Sequence, residues 1–285
     1  MLAVAFGLGS SLCWGLADFF GGLQSRRRAM LAVLLVSQGV ALALLLPVAF
    51  ALADEGPSAS AVGWAALGGS AGVVALAAFY RGLAIGTMSV VAPISATGAA
   101  VPVLVGLAEG ERPGLLQVAG MAAALVGVIL AARECEPAED AGDEHRAAGR
   151  AAIGLALVAA VGFGTFFVGV DKASATAEVP WVIVVSRSCS LVLVLIAALV
   201  ARPDLPRDAS SFGALAMIGV LDLGANGLFA LATTEGLLSV VAVLGSLYPA
   251  VTVVLARFVL AERVSGPQQV GIGLTLMGVV AISAG

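Results

Sequence analysis

The sequence predicts an all-α integral membrane protein of ten transmembrane helices, arranged as two inverted five-helix repeats. Three observations carry this. Of 285 residues, 60% are hydrophobic and only 11% charged, against about 25% charged in a soluble globular domain. Too little polar surface is left to face water, which excludes an ordinary soluble enzyme. Apolar stretches of about 20 residues, the length that crosses roughly 30 Å of hydrocarbon, recur along the whole chain. Finally, landmark residues of the first half return in the second at a nearly constant spacing.

The spans follow in order. Span one covers 2–23, an apolar run with no basic leading region and too long for the core of a secretion signal. Spans two to five cover 30–52, 62–85, 88–108 and 114–132, and spans six to ten cover 151–174, 180–201, 212–235, 238–260 and 266–284. The stretch 133–150 holds six of the 18 acidic residues, three arginines and the only histidine. It is too polar for lipid and reads as a flexible tether. The expected domains are a first repeat over 1–132, this linker, and a second repeat over 151–285. Glycine, at 36 residues, fits helices that approach one another closely.

Composition limits the partners. The net charge is -4 and the basic residues are dispersed, so a nucleic-acid partner is not expected. Cys13, Cys135 and Cys189 form neither a disulfide framework nor a metal spacing. Cys135 and His145 fall in the linker, and no metal or other cofactor is expected.

The repeat is explicit. Gly15 matches Gly164 and Ser37 matches Ser186 at a spacing of 149, and Phe79 matches Phe229 and Gly86 matches Gly236 at 150. At 151, Ser95 matches Ser246, Glu111-Arg112 matches Glu262-Arg263, Gly120 matches Gly271 and Gly127 matches Gly278. Five spans is an odd number, so the second copy enters the membrane from the opposite side. Inverted repeats with a site at their interface are a transporter architecture.

On these residues the chain resembles the drug/metabolite transporter superfamily, in its EamA-like branch. The match lies in Cys13-Trp14-Gly15-Leu16-Ala17-Asp18, the two Glu-Arg pairs, and the paired glycines of the last helix in each half. The resemblance covers essentially the whole chain and implies a secondary transporter of a small solute. It does not name the solute.

Let side A be the side of the N-terminus and side B the other. Side A receives Arg112 and Lys172, and side B receives eleven of the 14 basic residues, Arg187 lying within a span. Positive-inside counting then makes side B cytoplasmic and places both termini outside. The resemblance implies the reverse drawing.

A charge near the bilayer centre costs roughly 2.5–3.5 kcal/mol on insertion scales, so deep charges are site candidates. Asp222 lies ten residues into span eight and Arg187 seven residues into span seven. Either the two neutralise each other between transport steps, until a substrate carboxylate displaces the aspartate, or they form a permanent structural pair. Arg187 aligns with Gln38 in the other repeat. The resemblance implies arginine at both positions, and Gln38 departs from it. One cation and one amide suit a substrate with an anionic and a neutral polar group, such as an amino acid. Asp18, near the side-B end of span one, is the candidate carrier of a coupling proton, or else a partner of Arg26-Arg27-Arg28. Asn226 shares a helix face with Asp222 and either meets substrate or bridges to a neighbouring helix.

Trp64 and Trp181 begin their spans and read as interface anchors. Trp14 and Tyr248 lie deep and either line a cavity or simply pack. Pro93 and Pro102 in span four and Pro249 in span nine interrupt their helices, and paired interrupted helices point to a central site. Ser95 and Ser246 sit near these breaks, placed to present hydroxyls or partners for freed carbonyls. The Glu-Arg pairs either end their spans and steer entry to the next, or take part in gating.

The expected function is a secondary transporter in the cell membrane, multi-pass, exporting a small amino-acid-like or drug-like metabolite by alternating access, with lipid around it and the proton as candidate coupling ion. Uptake of sugars or other nutrients on the same fold is the alternative. No Gly-rich nucleotide loop supports ATP-driven pumping. An integral-membrane enzyme is disfavoured, because no span carries a paired acidic or histidine motif.

Overall fold

The computed structural model describes residues 1–52, 56–85, 91, 94–131, 143–260 and 266–284, and every described element is helical. In chain order these are α1 (Leu2–Ser25), α2 (Met30–Leu52), α3 (Ala59–Ile85), a 3-10 turn (Thr97–Ala99), α4 (Ala100–Ala108) and α5 (Leu115–Ala131). The second half continues with α6 (Asp143–Ser174), α7 (Val179–Ala201), α8 (Ala209–Glu235), α9 (Leu238–Gly245), α10 (Tyr248–Leu260) and α11 (Gly266–Ala284). Among the described residues, α1, α2, α3, α7, α8 and the Gly149–Ser174 part of α6 are long and apolar enough to cross a bilayer. Shorter apolar helical stretches cover Ile94–Ala108, Leu115–Gly127 and Leu238–Thr252.

Helix ends follow local chemistry. Asp208 caps α8, its Oδ2 accepting the Ser211 N–H at 2.8 Å. Hydrogen bonds from the Ser211 side chain and backbone hold that carboxyl below the usual carboxylate range. α7 starts with Pro180 in its first turn, where the missing N–H is harmless. Of the stretch 133–150 expected as a tether, the described part from Asp143 onward is helical and belongs to α6. Acidic residues favour a helix N-terminus and alanine a helix interior, and 143–150 supplies both.

The expected interruptions are found in different forms. The helix narrows to 3-10 geometry at Thr97–Ala99, and it breaks between Gly245 and Tyr248. A proline cannot bond the carbonyl four residues back. For Pro102 that residue is Gly98 and for Pro249 it is Gly245, each at a break. Pro93 lies outside the described residues.

Packing repeats when the two halves are exchanged. α3 runs along α6 as α1 runs along α8; α3 meets α7 as α8 meets α2. α2 with α7, α4 with α9, and α5 with α11 pair across the halves. Glycines seat these contacts. A Cβ on Gly69 would overlap the Ser186 backbone, and one on Gly219 would overlap that of Ser37. Gly15 lies on the Tyr248 carbonyl and Val251 just as Gly164 lies on the Gly98 carbonyl and Val101. These are the repeat mates of one another, so the spacing seen in the sequence records shared helix contacts.

Contacts at the bundle ends agree with the two sides. At side A, Lys172 pairs with Glu109, and Glu111 accepts from Leu238 and Ser239 backbone N–H groups. At side B, Arg28 donates to the Ser211 hydroxyl and lies 3.8 Å from Asp208.

Gly69→Ala and Gly219→Ala are each expected to lower stability by about 1–3 kcal/mol through overpacking, read as a fall in Tm of the purified protein in detergent. Gly213→Ala, where nothing lies within 4 Å, is expected to leave Tm unchanged.

Candidate substrate site

The close seats of Gly69 on Ser186 and Gly219 on Ser37 place the next residues, Arg187 and Gln38, side by side at the centre of the bundle. Arg187 Nη1 donates to Gln38 Oε1 at 2.6 Å and lies 2.5 Å from Asp222 Oδ2. The pair is close to fully enclosed, with side-chain exposures of 6% for Arg187 and 17% for Asp222. Asp222 Oδ1 accepts the Trp14 indole N–H at 3.2 Å and the Asn226 amide at 3.1 Å. Asn226 also donates to the Asp222 carbonyl at 2.5 Å, one helical turn back. Four helices thus meet on one ion pair: α1, α2, α7 and α8. Burying charge without partners is prohibitive, and charge-assisted bonds of this kind are the strong ones.

A cavity opens against this network, with an empty volume of about 580 Å³, part of it open to solvent. Trp14, Asp18, Gln38, Arg187, Asp222, Asn226 and Tyr248 all line it. Phe163, Phe166 and Phe167 of α6 form the apolar wall. Trp14 packs at a tilt against Phe167 and against Phe229 of α8, its ring centre 5.6 Å from each. Tyr248 meets Phe79 and Phe163 edge-on. Among the residues that line the cavity, Arg187 Nη2 and the Tyr248 hydroxyl are buried without a hydrogen-bond partner.

Asp18 does not join the Arg26-Arg27-Arg28 run. It is buried and hydrogen-bonded to the Tyr80 phenol, while Arg28 turns to Ser211 and Asp208. The cavity therefore faces two carboxylates and one guanidinium. Ser95 and Ser246 take the carbonyl-pairing alternative. Both are buried, but Ser95 Oγ donates to the Val91 carbonyl at 2.9 Å and Ser246 Oγ to that of Val243 at 2.8 Å. A short hydroxyl on a helix finds its own backbone first, so neither lines the cavity. Pro102 and Pro249 lie at the breaks and present no polar group to it.

Tyr80 and the α6 phenylalanines were not legible as site residues from their types. The repeat carried the missing signal: Phe163 is the mate of Trp14, and Phe167 the mate of Asp18, both at a spacing of 149. Among the described residues no cluster of three or more metal-ligating side chains occurs. Cys13 and Cys189 are free thiols.

The model of the EamA-like transporter family matches residues 1–133 and 150–284. The chain belongs to this family. The EamA-like chain is accordingly a multi-pass membrane protein of two homologous halves, in the drug/metabolite transporter superfamily that its sequence resembles. Its family consists of transporters, which implies a small-molecule substrate and a lipid surround. A solved structure, named only "Crystal structure of protein", is similar over 99% of this chain and 96% of its own, with a TM-score of 0.76 and 15% identity. At that identity the likeness concerns the fold alone. No curated protein matches.

Removing one member of a buried ion pair costs about 3–5 kcal/mol, whereas replacing both is often neutral. Arg187→Met is therefore expected to lower Tm more than the double substitution Arg187→Met/Asp222→Leu. A double variant no more stable than the single one would show that the two charges do not depend on each other.

Proposed function

We propose that this EamA-like protein is a secondary transporter of ten spans, two inverted five-helix repeats over 1–132 and 151–285, that exports a small amino-acid-like or drug-like metabolite by alternating access. The observation that carries the reading is the central cavity in which a nearly enclosed Arg187–Asp222 pair leaves Arg187 Nη2 and the Tyr248 hydroxyl unbonded. Inversion is supported by the exchange-symmetric packing of the halves. The ten-span count is supported by apolar segments four and nine each continuing past a break.

In this reading, an anionic or carbonyl group of the substrate takes the two free donors, and its apolar body lies against Trp14 and the α6 phenylalanines. Arg187 then shares its charge between substrate and Asp222, while the indole of Trp14 and the amide of Asn226 hold the aspartate in place. A bound anion adds one negative charge to the cavity, and the coupling proton offsets it. Asp18, whose carboxylate has a phenol rather than a cation for its partner, carries the coupling proton. Side B, with most of the arginines, is cytoplasmic, and the membrane is that of the cell.

Purified protein in liposomes, challenged with labelled amino acids, sugars, nucleosides and drugs, tests this. At least one solute is expected to move. Arg187→Ala and Asp222→Ala are each expected to lower its flux at least tenfold with the protein still monodisperse. Full flux in both variants would remove the central site. A pH gradient is expected to accelerate flux in the parent and not in Asp18→Asn. Counterflow in vesicles of known orientation reads the direction, and a C-terminal reporter active only in the cytoplasm reads the topology.

A further inference from the structure

We propose that Glu111 is the release point of the side-A gate, a carboxylate of the first half that closes the outer end of a second-half helix whose inner end packs behind Trp14, a wall of the cavity. The proposal rests on the alternating-access reading above. α9 begins without a cap of its own, since the preceding residue is Leu237, which has no side-chain acceptor. The free N–H groups of a helix start must find acceptors. Here they come from the other half: Glu111 Oε1 accepts the Leu238 N–H at 2.7 Å, and Oε2 accepts the Ser239 N–H at 3.1 Å.

The loop between α4 and α5 is shaped to present this carboxylate. Gly110 adopts φ 93, in the region that favours glycine. The Glu111 N–H closes the turn onto the Gly106 carbonyl at 2.9 Å. A Cβ on Gly106 would collide with the Glu111 carboxylate. Lys172, the nearby ammonium, pairs with Glu109 and Asp171, which leaves Glu111 to the backbone of α9.

Behind this contact, α9 is a strut. All eight of its residues are buried, and at about 1.5 Å per residue it spans roughly 12 Å. A Cβ on Gly245, at its inner end, would meet the Trp14 ring at 3.4 Å. The chain then turns into Tyr248. Trp14 and Tyr248 both face the cavity, so a substrate that moves either ring pushes on α9. At its other end the helix is held by Glu111, which is partly buried, near enough to the surface for water to take over its bonds when it lets go.

The test reads access directly. In a protein with Cys13, Cys135 and Cys189 replaced by serine, Ser190→Cys reports the cavity. A membrane-impermeant methanethiosulfonate is applied to intact cells and to inverted vesicles, with Glu235→Cys marking side A and Asp204→Cys side B. With Glu111 present, labelling from side A is expected to be slow. Glu111→Gln, which sets an amide against the α9 N–H groups, and Glu111→Ala are expected to raise the side-A rate at least tenfold while the side-B rate stays level or falls. Gly106→Ala, which crowds the carboxylate without removing it, carries the same expectation if the Glu111 variants fail to assemble.

An unchanged side-A rate in monodisperse variants would overturn the proposal. Equal acceleration from both sides would overturn it too, because a merely loosened bundle has no preferred side. The labelling needs no substrate, so its failure leaves the transport reading standing. Absent flux combined with a side-A shift would instead count against the transport reading alone.

Discussion

A guanidinium cannot sit in the middle of an apolar bundle unless its charge is answered there, and the arrangement of this protein's centre follows from that demand. Arg187 is met by Asp222 from α8 and Gln38 from α2, and Asp222 is met in turn by Trp14 from α1 and Asn226 from its own helix. These groups must approach within hydrogen-bond distance, so their helices must approach too. The glycines beside them make that possible. Gly219 lets α8 lie on Ser37, and Gly69 lets α3 lie on Ser186, one residue from Gln38 and Arg187. The polar centre and the small-residue contacts are therefore one construction.

The two halves share their scaffold and differ in their chemistry. Helix pairing and glycine seats repeat when the halves are exchanged. The cavity side chains do not: Asp18 of one half is Phe167 in the other, Trp14 is Phe163, Gln38 is Arg187, and Asp222 is Gly72. A symmetric frame thus encloses a one-sided site, with charge and amide groups on α1, α2, α7 and α8 and an aromatic wall on α6.

Much of this was readable before any fold was known. Deep charge is rare because it is costly, so Arg187 and Asp222 stood out by depth alone, and a turn of helix tied Asn226 to them. Gln38 followed from the repeat. Trp14 and Tyr248 were ambiguous, since an aromatic ring deep in a span packs equally well against lipid-facing helices or a cavity. Between the two alternatives for Ser95 and Ser246 the reason is local: a serine hydroxyl within a helix reaches its own carbonyls without help from any neighbour. Asp18 illustrates the opposite limit. Nearness in sequence suggested the arginine run, but the helix carries its side chain inward to Tyr80, some sixty residues away along the chain.

What the sequence by itself determined was the solvent, the segments and the repeat: a composition of 60% apolar and 11% charged residues admits a bilayer and little else, and span length follows from its thickness. It also determined which residues would be expensive to bury. Only the tertiary structure decided which of those residues answer one another, because an ion pair across helices depends on which faces meet. That depends on glycine contacts between segments more than a hundred residues apart, such as Gly69 with Ser186 and Gly219 with Ser37. The cavity, the free donors on Arg187 and Tyr248, and the contact of Glu111 with α9 all arise from those meetings, and no single segment contains them.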